Sequence, residues 1–120
     1  MCNNRKITTV SSSSVSSGSY LLRATKSKNE LYLTLTDIPG YPNFYATIKE
    51  LIESSLGIIF VIDSKIPNFA QGAEILFEII NDISYMKNNI PICIACNKQD
   101  IYGCKKITII EEELEKEMSK

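Results

Sequence analysis

The sequence predicts an α/β protein built on a wound sheet, mostly parallel with one antiparallel hairpin, and three observations carry that expectation. Two short, continuously apolar runs, 57–63 and 90–96, read as strands of the kind found in parallel sheets, covered on both faces. Each is followed by a segment whose apolar residues recur at helical spacing. Upstream, two β-prone segments flank a turn-prone tetrapeptide, the pattern of an antiparallel hairpin.

The elements follow in chain order. Seven of the nine residues from 11 to 19 are serine. That stretch has no hydrophobic period, so residues 1–19 are expected to form a polar arm ahead of a folded region at 20–120. Residues 20–25 and 31–37 then flank Lys26-Ser-Lys-Asn29, and in the second segment Leu31, Leu33 and Leu35 alternate with Tyr32, Thr34 and Thr36. After Ile38-Pro-Gly40, the spacing of Phe44, Ile48, Leu51 or Ile52 and Ser55 predicts a helix of about three turns. The apolar run 57–63 ends in Asp63. Phe69, Ala73, Leu76, Ile80 and Ile83 predict one long helix closed by Asn88-Asn89. The strand at 90–96 precedes a last helix marked by Ile107, Ile110, Leu114 and Met118, with an acidic run at 111–117 as its solvated face.

Length and charge bound the function. With 120 residues and 44% hydrophobic content, the chain allows one domain of ordinary globular composition. Thirteen basic against fourteen acidic side chains give a net charge of -1, which excludes a broad positive field for nucleic acid or anionic lipid. A bilayer span needs roughly 20 apolar residues, and no run approaches that. The start, Met-Cys-Asn-Asn-Arg-Lys, has no apolar h-region, so a cytosolic setting is expected. Of the four cysteines, Cys2, Cys93, Cys96 and Cys104, the middle two are spaced C-x-x-C. On a strand, side chains three apart face opposite ways, so that pair cannot share a metal, and buried structural thiols are the expectation.

In wound sheets ligands sit beyond the carboxyl ends of the strands, and Asp37, Asp63 and residues 97–100 are placed there. Asn97-Lys98-Gln99-Asp100 suits guanine. A carboxylate accepts two hydrogen bonds at once, and guanine presents its N1-H and 2-amino group side by side, whereas adenine offers no such donor pair. Asn97 would tie loops around the base, and the stem of Lys98 could lie along its ring. Taken alone, the same four residues also make an ordinary polar turn. Asp37-Ile-Pro-Gly40 would place a carboxylate near a phosphate-bound magnesium and a glycine N-H at a terminal phosphate. Alone, it is equally a strand followed by a Pro-Gly turn. The two elements in this order are more specific than either.

On those residues the sequence resembles the small GTPase class. More narrowly, the segments 33–40 (Leu-Thr-Leu-Thr-Asp-Ile-Pro-Gly), 59–64 (Ile-Phe-Val-Ile-Asp-Ser) and 94–101 (Ile-Ala-Cys-Asn-Lys-Gln-Asp-Ile) are similar to the beta-subunit family of the signal recognition particle receptor. The closing Glu113-Leu-Glu-Lys-Glu117 fits as well, and the likeness covers most of the chain after Thr8. The resemblance implies a P-loop GTPase-like sheet that binds GTP and Mg2+. In that reading Asp37 and Gly40 belong to the switch II region, and Asn97, Lys98 and Asp100 bind the base. Thr8 or Thr9 matches the switch I threonine that reaches magnesium, although a threonine pair in a loop is the plain alternative. The implied partner is the receptor's alpha subunit, and the implied place is the cytosolic face of the endoplasmic reticulum membrane, held through an anchor upstream of Met1.

The sequence departs from the family pattern in three ways. It has no G-x-x-x-x-G-K-[ST] phosphate loop and no Gly-Lys dipeptide. The strand and helix of that loop, and the last strand and helix of the fold, are expected to lie outside these 120 residues, so that the chain is a piece truncated at both ends. Tyr41 stands where many relatives orient the attacking water with Gln or His, so hydrolysis is expected to be weak or absent. The alternatives are an Arf- or Sar-like trafficking GTPase fragment and a nucleotide-free protein-interaction module.

Overall fold

The computed structural model describes residues 14–23 and 30–120. The chain divides into two compact units, Met1–Phe44 and Tyr45–Lys120.

In the first unit, β1 (Ser16–Arg23) and β2 (Glu30–Asp37) form the expected antiparallel hairpin, in register from Ser16 opposite Asp37 to Arg23 opposite Glu30. The strand β1 begins inside the serine-rich stretch expected to be a polar arm. Composition disfavours structure there, but β2 supplies ladder bonds to the backbone groups of β1 that face it, and Ser17 Oγ lies 2.9 Å from Thr36 Oγ1 across the pair. A 3-10 turn (Pro42–Phe44) ends the unit.

The second unit runs α1 (Tyr45–Ile52), β3 (Ile58–Asp63), α2 (Phe69–Ile80), α3 (Ile83–Asn88), β4 (Ile92–Asn97) and α4 (Ile107–Met118). Strands β3 and β4 pair in parallel, with Ile58 opposite Ile92 and Asp63 opposite Asn97. Among the described residues the strands form two two-stranded sheets and no ladder joins them. The described residues thus form a mixed α/β arrangement of one antiparallel hairpin and one parallel pair.

The single long helix expected over 69–83 is two. Asn81 turns its side-chain amide back to Phe77 O at 2.8 Å and caps α2, while Asp82 Oδ1 accepts the Ser84 N-H at 2.8 Å and starts α3. Apolar spacing continued through the break, but two adjacent cap-forming side chains satisfied the helix ends better than a continuous ladder would. Asn89, at φ 49°, closes α3 in the left-handed conformation that asparagine tolerates.

Helix α2 supports two hydrophobic clusters. Ile75 and Ile79 pack with Ile52 and Ile90, while Leu76 packs with Ile62, Ile110 and Leu114. Phe60 and Ile92 touch both clusters, so the helices cover one face of the parallel pair. The other face is open, with Ile59 64% and Val61 61% exposed and Cys93 exposed as well. This corrects two expectations, that the strands are covered on both faces and that the thiols are buried. Cys96, three residues on, packs against the second cluster, which puts the C-x-x-C side chains on opposite faces. On α4, Ile110 and Leu114 face the core, while Glu111, Glu112 and Glu115 are exposed, as the acidic run predicts.

Candidate functional site

The parallel pairing brings the carboxyl ends of β3 and β4 side by side, and the polar residues at both exits are stitched together. Asp63 closes β3. Its Oδ1 accepts the backbone N-H of Lys65 at 2.8 Å and of Ile66 at 3.3 Å, fixing the turn that leaves the strand. Its other oxygen, Oδ2, takes the ammonium of Lys98 in an ion pair. These interactions, the Lys98 hydrogen bond first and the Lys65 N-H second, hold the Asp63 carboxyl below the ordinary aspartate range.

The loop after β4 carries the N-K-Q-D residues. Asn97 Oδ1 accepts the N-H of Lys98 at 2.9 Å, and Lys98 adopts φ 64°, a left-handed conformation uncommon outside glycine and asparagine. That backbone turn separates the directions of successive side chains. Lys98 reaches Asp63, whereas Gln99 turns to β3, its Nε2 donating to Ser64 Oγ at 2.7 Å and to Lys105 O at 3.0 Å. Backbone bonds complete the tie, from Ser64 N to Asn97 O at 3.0 Å and from Lys105 N to Ser64 O at 2.8 Å. Asp100 is exposed at the rim.

Further along, Lys65 Nζ donates to Tyr102 O at 2.7 Å and lies 3.0 Å from where a Cβ on Gly103 would stand. Gly103 has φ +74°, so the backbone geometry calls for glycine there, whereas the lysine tip could move aside for a Cβ. The loop is thus held at Asn97, Lys98, Gln99, Tyr102 and Lys105, and the acid expected to read a base is left accessible.

Of the residues singled out in the sequence, Asn97, Lys98 and Asp100 come together with Asp63 in the second unit. Asp37 and Gly40 lie in the first unit, Asp37 at the end of β2 opposite Ser16 and Gly40 exposed just beyond it. An added Cβ at Gly40 would meet nothing within 4 Å, so packing is not what calls for glycine there. Thr8 and Thr9 lie outside the described residues. Tyr41 is exposed. Sequence reasoning noted Asp63 only as a strand end and missed Ser64, Lys65 and Gln99. No linear spacing signals those, because their partners lie 35 to 37 residues away. Among the described residues no group of acidic or cysteine side chains is arranged to hold a metal ion, and no helix is long and apolar enough to cross a membrane.

Comparison with known proteins adds an independent line. The family model for the signal recognition particle receptor beta subunit matches residues 2–120. Over 90 residues, 72% of the chain, it is 38% identical to signal recognition particle receptor subunit beta of Homo sapiens and covers 33% of that protein. Against the mouse (Mus musculus) protein of the same name, the figures are 36% identity and 34% of its length. The likeness to the Dictyostelium discoideum subunit is 28% but extends over 117 residues, 96% of the chain and 39% of that protein.

Proposed function

Because the chain belongs to the family of signal recognition particle receptor beta subunits, we propose that residues 97–100 are the guanine-binding element of such a subunit. The observation that supports this most directly is the loop after β4. Held to β3 by Lys98 and Gln99, it leaves the Asp100 carboxylate exposed to accept N1-H and the 2-amino group of a guanine. Lys98 is fixed at its ammonium, so its alkyl stem is available to lie along the ring. Asp37 and Gly40 would serve magnesium and the terminal phosphate of GTP, with Thr8 or Thr9 as a further magnesium ligand. The bound nucleotide would control docking of the receptor's alpha subunit at the endoplasmic reticulum membrane during co-translational targeting.

The test is made on the base alone, since the sequence holds no phosphate-loop pattern to grip a triphosphate. Guanosine monophosphate titrated into the labelled chain should shift the amides of residues 97–101 with an affinity of about millimolar, the strength of a few charged hydrogen bonds. GTP with magnesium should bind about as weakly. Asp100→Asn should weaken guanosine monophosphate by about 1 to 3 kcal/mol and favour the xanthine analogue, whose carbonyl oxygen in place of the 2-amino group meets the amide donor. Unchanged guanine binding in that variant would remove the loop from the base site.

A further inference from the structure

We propose that Gln99, seated on the buried hydroxyl of Ser64, is a positioning residue that sets how sharply the 97–100 loop discriminates its base. This rests on the guanine-binding reading of that loop. Ser64 is fully buried, and a buried hydroxyl demands a partner. The partner is Gln99 Nε2 at 2.7 Å, and the same nitrogen donates its second hydrogen to Lys105 O at 3.0 Å. Both amide hydrogens are thus used inward. Gln99 as a residue is exposed, yet its amide head is engaged through both hydrogens. Ser64 is meanwhile bonded through its own N-H to Asn97 O and through its carbonyl to Lys105 N-H, so the contacts close a ring around the loop.

Gln99 stands between Lys98 and Asp100, the two residues that would touch the base. Holding its amide head fixes the backbone from which both of those side chains depart. A carboxylate engages two donors together only when it lies in their plane at the right distance, so a small rotation of the loop loses the pair before it loses all binding. Discrimination of guanine from hypoxanthine, which lacks the 2-amino donor, is therefore the quantity that Gln99 should control. Only an amide fits this role, since glutamate has the shape but no hydrogens to give, and methionine has the length but no polar head.

The experiment compares the full chain with Gln99→Glu, Gln99→Met and Ser64→Ala, in two measurements. In the free proteins, amide exchange at Ser64 and Lys105 should accelerate at least several-fold in each variant while amides of α2 stay protected. In titrations with guanosine and inosine monophosphates, the preference of the parent for guanine should fall about tenfold in the variants, toward equal binding. Unchanged exchange at Ser64 and Lys105 overturns the proposal, whatever the ligand does. A parent that prefers guanine, with variants that keep the same preference, overturns it while leaving the base site standing. A parent without preference overturns both this inference and the guanine reading.

Discussion

At the scale of single residues, Asp63 links strand, turn and loop through one carboxylate. Its protonation would break the Lys98 pair and weaken the bonds from Lys65 and Ile66 together. Because the folded-state pKa lies below the unfolded one, the contribution of this group to stability is present above the ordinary aspartate pKa of about 3.9 and is lost as pH falls through the folded value. Carbon-detected titration of the Asp63 carboxyl should show a midpoint below that of an ordinary aspartate, and Lys98→Met should move it upward. An unmoved midpoint in the variant would assign the depression to the turn amides alone. Asn97, Lys98 and Asp100 were legible in the sequence because a four-residue motif follows a strand signal. Ser64 was not. Its burial depends on a neighbour far along the chain, and no local pattern distinguishes it from a solvent-facing serine.

Elements were read with mixed success, for reasons visible in their ends. Periodicity located α1, α2 and α4 because their apolar faces meet the core. It missed the break between α2 and α3, since Ile80 and Ile83 keep the helical spacing across it. The cap-forming Asn81 and Asp82 are the sequence signal of that break. Asp82→Ala, which removes the acceptor for Ser84 N-H, should lower stability by about 1 kcal/mol in urea denaturation, the usual cost of an N-cap. In α4, Ile110 is wholly buried beside Leu114 and Ile62. Ile110→Ala should cost about 2 to 5 kcal/mol by the same measurement, enough to leave much of the chain unfolded. The open face of β3 was misread because a run of apolar residues signals β-structure without saying how many of its faces are covered.

For the whole chain, that open face sets solution behaviour. Ile59 and Val61 are more than half exposed within residues 58–62, a stretch of β3 without charge or proline, the kind of surface that recruits other chains. Sedimentation velocity should show association that grows with concentration. The double variant Ile59→Thr and Val61→Thr keeps β-branched side chains and should shift the distribution toward monomer with little change in unfolding midpoint. Persistent association in that variant would locate the contact elsewhere.

The parallel pairing also fixes an order of events. The hairpin strands lie close in sequence and can meet early, whereas β3 cannot pair with β4 until the chain between them has crossed over through α2 and α3. The ties from Asp63 to Lys98 and from Ser64 to Gln99 each bridge 35 residues, so they close only in that late step. A nascent or partly unfolded chain carries the N-K-Q-D letters without the geometry that would let them recognise anything. Base recognition would therefore report on completed folding, and a molecule that bound would be one in which the crossover had already closed.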